Sequence, residues 1–148
     1  MSVVKIGLIG AGSIGVRHIM AIDELPDAAL VAIGDPSFAA QEIGKNRNIP
    51  VFGDANKMLE AGGIDAVIIA TPTERHHQDV MAALRHKVTV LVEKPITATL
   101  AEAQEITQFA AQQNCHVLVG HQRRYYPCAA EARSIIQSGQ IGTLLGVT

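Results

Sequence analysis

Short runs of apolar residues, rich in Val and Ile, recur along the chain, and each is bounded by a glycine, a proline or a charged residue. The runs are Val3 to Ile9, Leu30 to Ile33, Ala66 to Ala70, Val88 to Val92 and Val117 to Val119. Continuous apolar runs of this length are typical of strands covered on both faces, as the strands of parallel sheets are. We therefore expect a buried strand at each of these places.

Between these runs, apolar residues recur at helical spacing. They lie at Ile14, Ile19, Ile22 and Leu25 after the first run, and at Val80, Ala83 and Leu84 after the run at 66–70. The clearest helix start is Thr99 with Glu102 three residues later, a capping box. A last helix is expected over about 128–138, opened by Pro127.

Strands that alternate with helices of this length imply right-handed crossovers and a doubly wound parallel sheet, that is, a three-layer α/β/α Rossmann fold. With 148 residues, 48% of them hydrophobic, the chain can bury one core, and we assign residues 1–141 to a single domain. Residues 139–148 are expected to form a turn followed by an apolar strand, and residues 142–148 to begin a second, truncated substrate domain. That strand is expected to be poorly ordered or to pair with another molecule.

Charge and composition exclude several classes of partner. Twelve basic residues against fourteen acidic ones leave a net charge of -2, which favours neither nucleic acid nor an anionic membrane surface, so small and nearly neutral partners are expected. Two cysteines and six histidines show no metal-binding spacing, and no metal is expected. Because there is neither a signal-like opening nor an apolar run of membrane length, we expect a cytoplasmic protein.

A glycine-rich turn follows the first predicted strand and opens a helix. In it, Gly10 permits the tight turn, Gly12 lets the backbone approach a pyrophosphate, and Gly15 packs helix against strand. The N–H groups at the helix start, from Ser13 and Ile14 onward, suit phosphate oxygens. The sequence therefore predicts a dinucleotide site at these five residues.

Asp35 ends the second predicted strand, twenty residues after Gly15, where a carboxylate accepts hydrogen bonds from the adenine ribose. The same carboxylate repels a 2′-phosphate, and residues 36–38 supply no arginine to bind one, so NAD is favoured over NADP. The alternative is a purely structural role, in which the glycines make a turn and Asp35 caps the following helix.

Four segments resemble the glucose-fructose oxidoreductase, inositol dehydrogenase and MocA family of sugar and polyol oxidoreductases. They are GAGSIGVRH at 10–18, Ala70-Thr71-Pro72 with His76, Glu93-Lys94-Pro95, and GHQRRYYP at 120–127. The sequence departs from the family pattern at Lys87, where glycine is common, and at Tyr126, where aspartate is frequent. Because Tyr126 replaces an acidic residue, the sequence does not decide whether the pocket is polar.

The resemblance implies roles for several of these residues. Thr71, Pro72 and His76 are expected beside the cofactor, with Glu93 against the nicotinamide ribose and Lys94, the catalytic candidate, facing the substrate carbon. A cis peptide bond is expected between Lys94 and Pro95. Two roles are equally expected for one group of residues: a polar exit loop or a part of the substrate site. The group is His121, Arg123, Arg124 and Tyr125.

The function implied is NAD-dependent hydride transfer to or from a sugar, polyol or inositol-like alcohol. In the family, the main acid-base histidine and its aspartate lie in a second domain, so this chain is expected to bind the cofactor without turnover. The parent enzyme is expected to be a homo-oligomer through that domain. Two alternatives are a non-catalytic dinucleotide-sensing module and another Rossmann-type reductase.

Overall fold

The computed structural model describes residues 3–146, which form one six-stranded parallel sheet. The strands are β1 Val4–Ile9, β2 Ala28–Gly34, β3 Val51–Phe52, β4 Ala66–Ile69, β5 Thr89–Val92 and β6 Val117–Val119. Their order across the sheet is β3-β2-β1-β4-β5-β6, and every neighbouring pair is parallel. This is the doubly wound Rossmann arrangement that the alternating pattern predicts.

Helices cover both faces of the sheet. They are α1 Ser13–Asp23, α2 Phe38–Arg47, α3 Ala55–Ala61, α4 Thr73–Arg85, α5 Leu100–Gln113 and α6 Pro127–Gln137, with a 3₁₀ turn at Gln122–Tyr125. Two buried clusters result. Leu8 packs with Ile19 and Ile22 of α1, whereas its neighbour Ile9 packs with residues of α3, α4 and α5. Successive strand residues point to opposite faces, so one apolar run serves both layers.

Several local expectations are confirmed. Thr99 and Glu102 form a complete capping box at the start of α5. The last helix begins at Pro127, as expected. Lys87, which follows α4, has a φ of +58°, a left-handed conformation that usually favours glycine.

The structure contains one strand that the sequence pattern did not predict. The short strand β3, at Val51–Phe52, escaped prediction because two residues show no period. Residues 142–146 form no strand, and the last residues of the segment lie outside the described ones, so its order and its pairing with another molecule stay predictions. A strand needs a neighbour to pair its backbone groups, and apolar character alone does not supply one. Over residues 3–146, no helix is both long enough and apolar enough to cross a membrane.

Candidate functional site

The order of the strands creates a crevice at the carboxyl edge of the sheet. β1 and β4 are neighbours there, although the chain leaves them toward opposite ends of the sheet. Ligands of doubly wound sheets bind at such a switch point. The predicted site residues follow β1, β2, β4 and β5 at this edge: Gly10, Gly12, Ser13, Ile14, Gly15, Asp35, Thr71, Pro72, His76, Glu93 and Lys94.

Two glycines of the turn after β1 are required by the packing of the chain itself. Gly10 has a φ of +89°, and a Cβ there would lie 2.8 Å from the backbone of Ala70 and Thr71. A Cβ on Gly15 would overlap the carbonyl oxygen of Gly10. Both positions therefore hold α1 close to β1 and β4, whatever binds in the crevice.

Gly12 is different, because nothing in the chain requires glycine there. Its φ of -69° and ψ of -168° suit any residue, and a Cβ would meet no heavy atom within 4 Å. Gly12 is also the N-cap of α1 and supplies no capping side chain. Ser37, Asp54 and Thr99 cap α2, α3 and α5, whereas α4 and α6 also begin without a capping side chain. Open space and uncapped N–H groups thus meet at one point, which suits the close approach of an anion.

The Asp35 carboxylate joins the end of β2 to this turn. One oxygen accepts a hydrogen bond of 2.7 Å from the N–H of Ala11, and the other accepts one of 2.7 Å from the N–H of Ser37. Burial raises the pKa of Asp35, but its hydrogen bonds from Ser37 and Ala11 outweigh this and hold the pKa below its ordinary value. The group is therefore ionised at neutral pH.

A network that the sequence reasoning missed lies under the turn after β4. Asp79 of α4 is fully buried, accepts a 2.8 Å hydrogen bond from the Thr71 hydroxyl and contacts the Arg75 guanidinium at 3.3 Å. Arg75 also lines the hollow beside Asp35, together with Gly12. The i,i+4 spacing of Arg75 and Asp79 was a visible signal for their pairing.

His76 lies in the floor of the crevice and is 1% exposed. Its Nδ1 is 2.8 Å from the carbonyl oxygen of Pro95, and its Nε2 is 2.9 Å from that of Thr71. Both ring nitrogens therefore contact backbone oxygens. The ring joins the turn after β4 to the turn after β5, which fixes the two loops relative to each other.

Glu93 and Lys94 follow β5 and have very different surroundings. One Glu93 oxygen is 3.0 Å from Nε2 of His18, and the other accepts the Lys94 N–H at 3.2 Å. The pairing of Glu93 with His18 of α1 also escaped sequence analysis. The Lys94 side chain is exposed, and the Lys94-Pro95 peptide bond is cis, as the resemblance implies.

Two neighbouring hollows of the crevice run from Asp35 to Lys94. The Asp35 end has a volume of about 250 Å³ and reaches Ala70, Thr71 and Pro72. The Lys94 end, of about 630 Å³, includes the same three residues, so the two hollows are continuous. Its lining comprises Ile14, Arg17, Ala70, Thr71, Pro72, Thr73, His76, Glu93, Lys94, Gln122 and Arg123. The crevice has the size of a small-molecule or cofactor site.

Comparison with known proteins gives a family match over most of the chain. Residues 4–121 match the family described as an oxidoreductase family with an NAD-binding Rossmann fold. The rhizopine catabolism protein MocA of Rhizobium meliloti is 32% identical over 140 residues, which are 95% of this chain and 44% of that protein. A scyllo-inositol 2-dehydrogenase (NAD(+)) of Bacillus subtilis is 33% identical over 142 residues, 94% of this chain and 42% of the relative.

Solved structures give the same picture. Scyllo-inositol dehydrogenase from Lactobacillus casei, solved with bound NAD(H) and scyllo-inositol, superposes with a TM-score of 0.90 at 30% identity. The match covers 95% of this chain and 43% of the other. The chain thus spans less than half the length of these relatives.

Proposed function

The chain belongs to the oxidoreductase family with an NAD-binding Rossmann fold, and from this premise we propose that its crevice holds NAD along the carboxyl edge of the sheet. The adenosine lies at the Asp35 end and the pyrophosphate at the turn from Gly10 to Gly15. The nicotinamide lies near Thr71, Pro72, Glu93 and Lys94, with His76 in the floor beneath it. Residues 1–141 form this cofactor domain.

The observation that carries the proposal is the open space over Gly12. Gly10 and Gly15 are explained by contacts within the chain, whereas Gly12 is not. A side chain there would block the place where phosphate oxygens meet the uncapped N–H groups of α1. Glycine at this position therefore fits a bound pyrophosphate.

NAD rather than NADP fits the Asp35 end. The ionised carboxylate keeps lone pairs for ribose hydroxyls and repels a 2′-phosphate. The sequence shows no arginine beside Asp35, but the fold brings Arg75 of α4 into the same hollow. One guanidinium nitrogen of Arg75 contacts Asp79 at 3.3 Å, so Asp79 offsets part of its charge, and the preference for NAD rests on Asp35.

The reaction we propose is the oxidation of a secondary alcohol of a sugar, polyol or inositol-like compound, or the reverse reduction. NAD supplies the hydride acceptor when it is bound. The ammonium of Lys94 stabilises negative charge on the substrate oxygen and takes part in moving its proton. His18 and the Lys94 N–H hold Glu93 at the nicotinamide end.

Residues 1–148 alone are expected to bind the cofactor without turnover. Lys94, Gln122 and Arg123 are exposed, and at a hydrated surface the charge of a lysine is screened and a substrate is poorly positioned. The assignment of 142–148 to a second domain, the cytoplasmic location and the homo-oligomeric parent stay predictions.

Calorimetric titration of Gly12→Ala with NAD tests the proposal. We expect at least a tenfold loss of NAD affinity without a change in thermal unfolding, since the added methyl meets open space. Gly146→Ala is the matched control, because its Cβ also meets nothing within 4 Å and Gly146 lies in neither hollow. Unchanged NAD binding by Gly12→Ala would refute the placement of the pyrophosphate.

A further inference from the structure

The carboxylate of Glu93 is held in one orientation by two hydrogen bonds. Its Oε1 is 3.0 Å from Nε2 of His18, and its Oε2 accepts the Lys94 N–H at 3.2 Å. A carboxylate only accepts hydrogen bonds, so His18 donates to it through the Nε2–H. Because each carboxylate oxygen has two lone pairs, Glu93 keeps the capacity to accept hydrogen bonds from the hydroxyls of a ligand.

Gly120, directly after β6, leaves the space that this carboxylate occupies. A Cβ on Gly120 would lie 3.3 Å from Oε1 and 3.4 Å from Cδ of Glu93, which is closer than ordinary contact. Gly120 does not have a positive φ, so its backbone conformation does not require glycine. The absence of a side chain at this position therefore serves the Glu93 carboxylate.

His18 lies behind Glu93 and outside the crevice. Glu93 lines the Lys94 end, whereas His18 lines neither end and borders a neighbouring hollow of about 450 Å³. The next residue of α1, Ile19, is buried in the core, and Gly15 holds the same helix close to Gly10. The backbone of His18 is therefore fixed, and His18 acts on a ligand of the crevice only through Glu93.

We propose that His18 is a positioning residue, which orients the Glu93 carboxylate toward the hydroxyls of the nicotinamide ribose. The inference rests on the proposed function, because that function places this ribose at Glu93. Without the hydrogen bond from His18, the Glu93 side chain gains rotamers, and binding the ribose has to order it again. The first turn of α1 meets the pyrophosphate, so through His18 one helix serves both halves of the cofactor.

The test separates the nicotinamide ribose from the rest of the cofactor. ADP carries the adenosine and the pyrophosphate, and ADP-ribose adds the second ribose without the nicotinamide ring. The dissociation constant of ADP divided by that of ADP-ribose, both measured by calorimetry on one variant, reports the contribution of this ribose. We expect a ratio of about ten for the native chain, as hydrogen bonds to a charged group allow.

Three variants show whether His18 acts through Glu93. His18→Leu should lower the ratio to about two or less and leave the affinity for ADP unchanged, which also shows that the variant is folded. His18→Gln should restore most of the ratio, because the amide of glutamine donates a hydrogen bond to Glu93 as Nε2 does. Gly120→Ala should lower the ratio as well, since its Cβ displaces Oε1 without removing a donor.

His77→Leu is the matched control. His77 and Glu105 form a second pair of the same kind, also at 3.0 Å, and neither residue lines the crevice. The ratio should therefore stay at the native value in this variant.

An unchanged ratio in His18→Leu overturns the inference, and so does an equal fall in His77→Leu or a failure of His18→Gln to restore the ratio. A ratio near one in the native chain overturns it too, because the nicotinamide ribose then does not bind at Glu93. Failure of the native chain to bind ADP at all is a different result, which refutes the proposed function and the inference with it.

Discussion

The two ends of the crevice are built in opposite ways. At the Asp35 end, the polar groups are partners of one another: Asp35 accepts hydrogen bonds from Ala11 and Ser37, and Asp79 binds Thr71 and Arg75. At the Lys94 end, Lys94 and Arg123 form no ion pair within the described part of the chain. Residues at the first end thus support the fold and the ligand together, whereas those at the second are free to serve a ligand alone.

This difference predicts how each end responds to substitution. Changes of the mutually paired groups at the Asp35 end, such as Asp35 and Asp79, should alter stability as well as binding. Changes of Lys94 or Arg123 at the Lys94 end should alter binding alone. Thermal or urea unfolding, measured beside ligand titration, separates the two effects.

Gly15→Ala should have the largest effect. Its Cβ would overlap the Gly10 carbonyl oxygen, and that contact is backbone, which has no rotamer to give way. We expect a loss of about 3 kcal/mol in the free energy of unfolding, measured with urea. Gly12→Ala, three residues earlier, is the control and should leave stability unchanged. Equal stability of the two variants would remove the distinction between structural and ligand-facing glycines.

Asp79→Asn should cost less, about 1 to 3 kcal/mol, because an amide at this buried position cannot satisfy both Thr71 and Arg75 as a carboxylate does. Glu105→Gln is a suitable comparison, since Glu105 is an exposed partner of His77 and should change stability by less than about 0.5 kcal/mol. If Asp79→Asn unfolds at the same urea concentration as the native chain, the network does not support the Asp35 end.

Asp35→Asn should have a smaller effect on the free energy of unfolding, and this effect should depend on pH. Its pKa is lower in the folded chain than in the unfolded one, so its contribution to stability is present above about pH 4 and is lost as the pH falls toward the folded pKa. The stability advantage of the native chain over Asp35→Asn should therefore be constant from pH 7 to 5 and shrink toward pH 3.

Asp23 provides the comparison for this experiment. The hydrogen bond from Arg47 lowers its pKa too, but the pair is at the surface. Added salt should weaken the contribution of Asp23 more than that of Asp35, which is bound by backbone N–H groups. If the stability advantage of the native chain over Asp35→Asn grows on acidification, the pKa of Asp35 is not lowered in the folded chain.

Lys94→Ala and Arg123→Gln should have the smallest effect on folding. Both side chains are exposed and outside any ion pair of residues 3–146, so the free energy of unfolding should stay within about 0.5 kcal/mol of the native value. A clear destabilisation of either variant would show that these side chains of the Lys94 end have structural partners after all.

The fold was predictable where one short segment carried the signal. Apolar runs marked five strands, and Thr99 with Glu102 marked the start of α5. The two-residue strand β3 was too short to show a pattern. Apolar residues after Gly142 suggested a strand, but pairing depends on a neighbour that local sequence does not specify.

The candidate site was likewise predictable where one short segment carried the signal. Spacing within one motif placed the glycine turn and Asp35 together, and the sheet confirms that they adjoin through Ala11. The positions of Arg75 and His18 in the site were not predicted, because the fold, rather than the spacing, brings α4 to Asp35 and α1 to Glu93. His76, expected beside the cofactor, has both ring nitrogens on backbone oxygens, and its contact with NAD stays a prediction.

The most direct test of the central claim is the set of backbone N–H signals that shift when ¹⁵N-labelled chain is titrated with AMP and then with NAD. AMP should move Gly12, Asp35 and Ser37 only. NAD should move these and also Glu93, Lys94 and Gln122, which line the Lys94 end and not the Asp35 end, because the nicotinamide half reaches that end. Identical shifts for both ligands, or an unmoved Gly12, would contradict a cofactor that extends from Asp35 to Lys94.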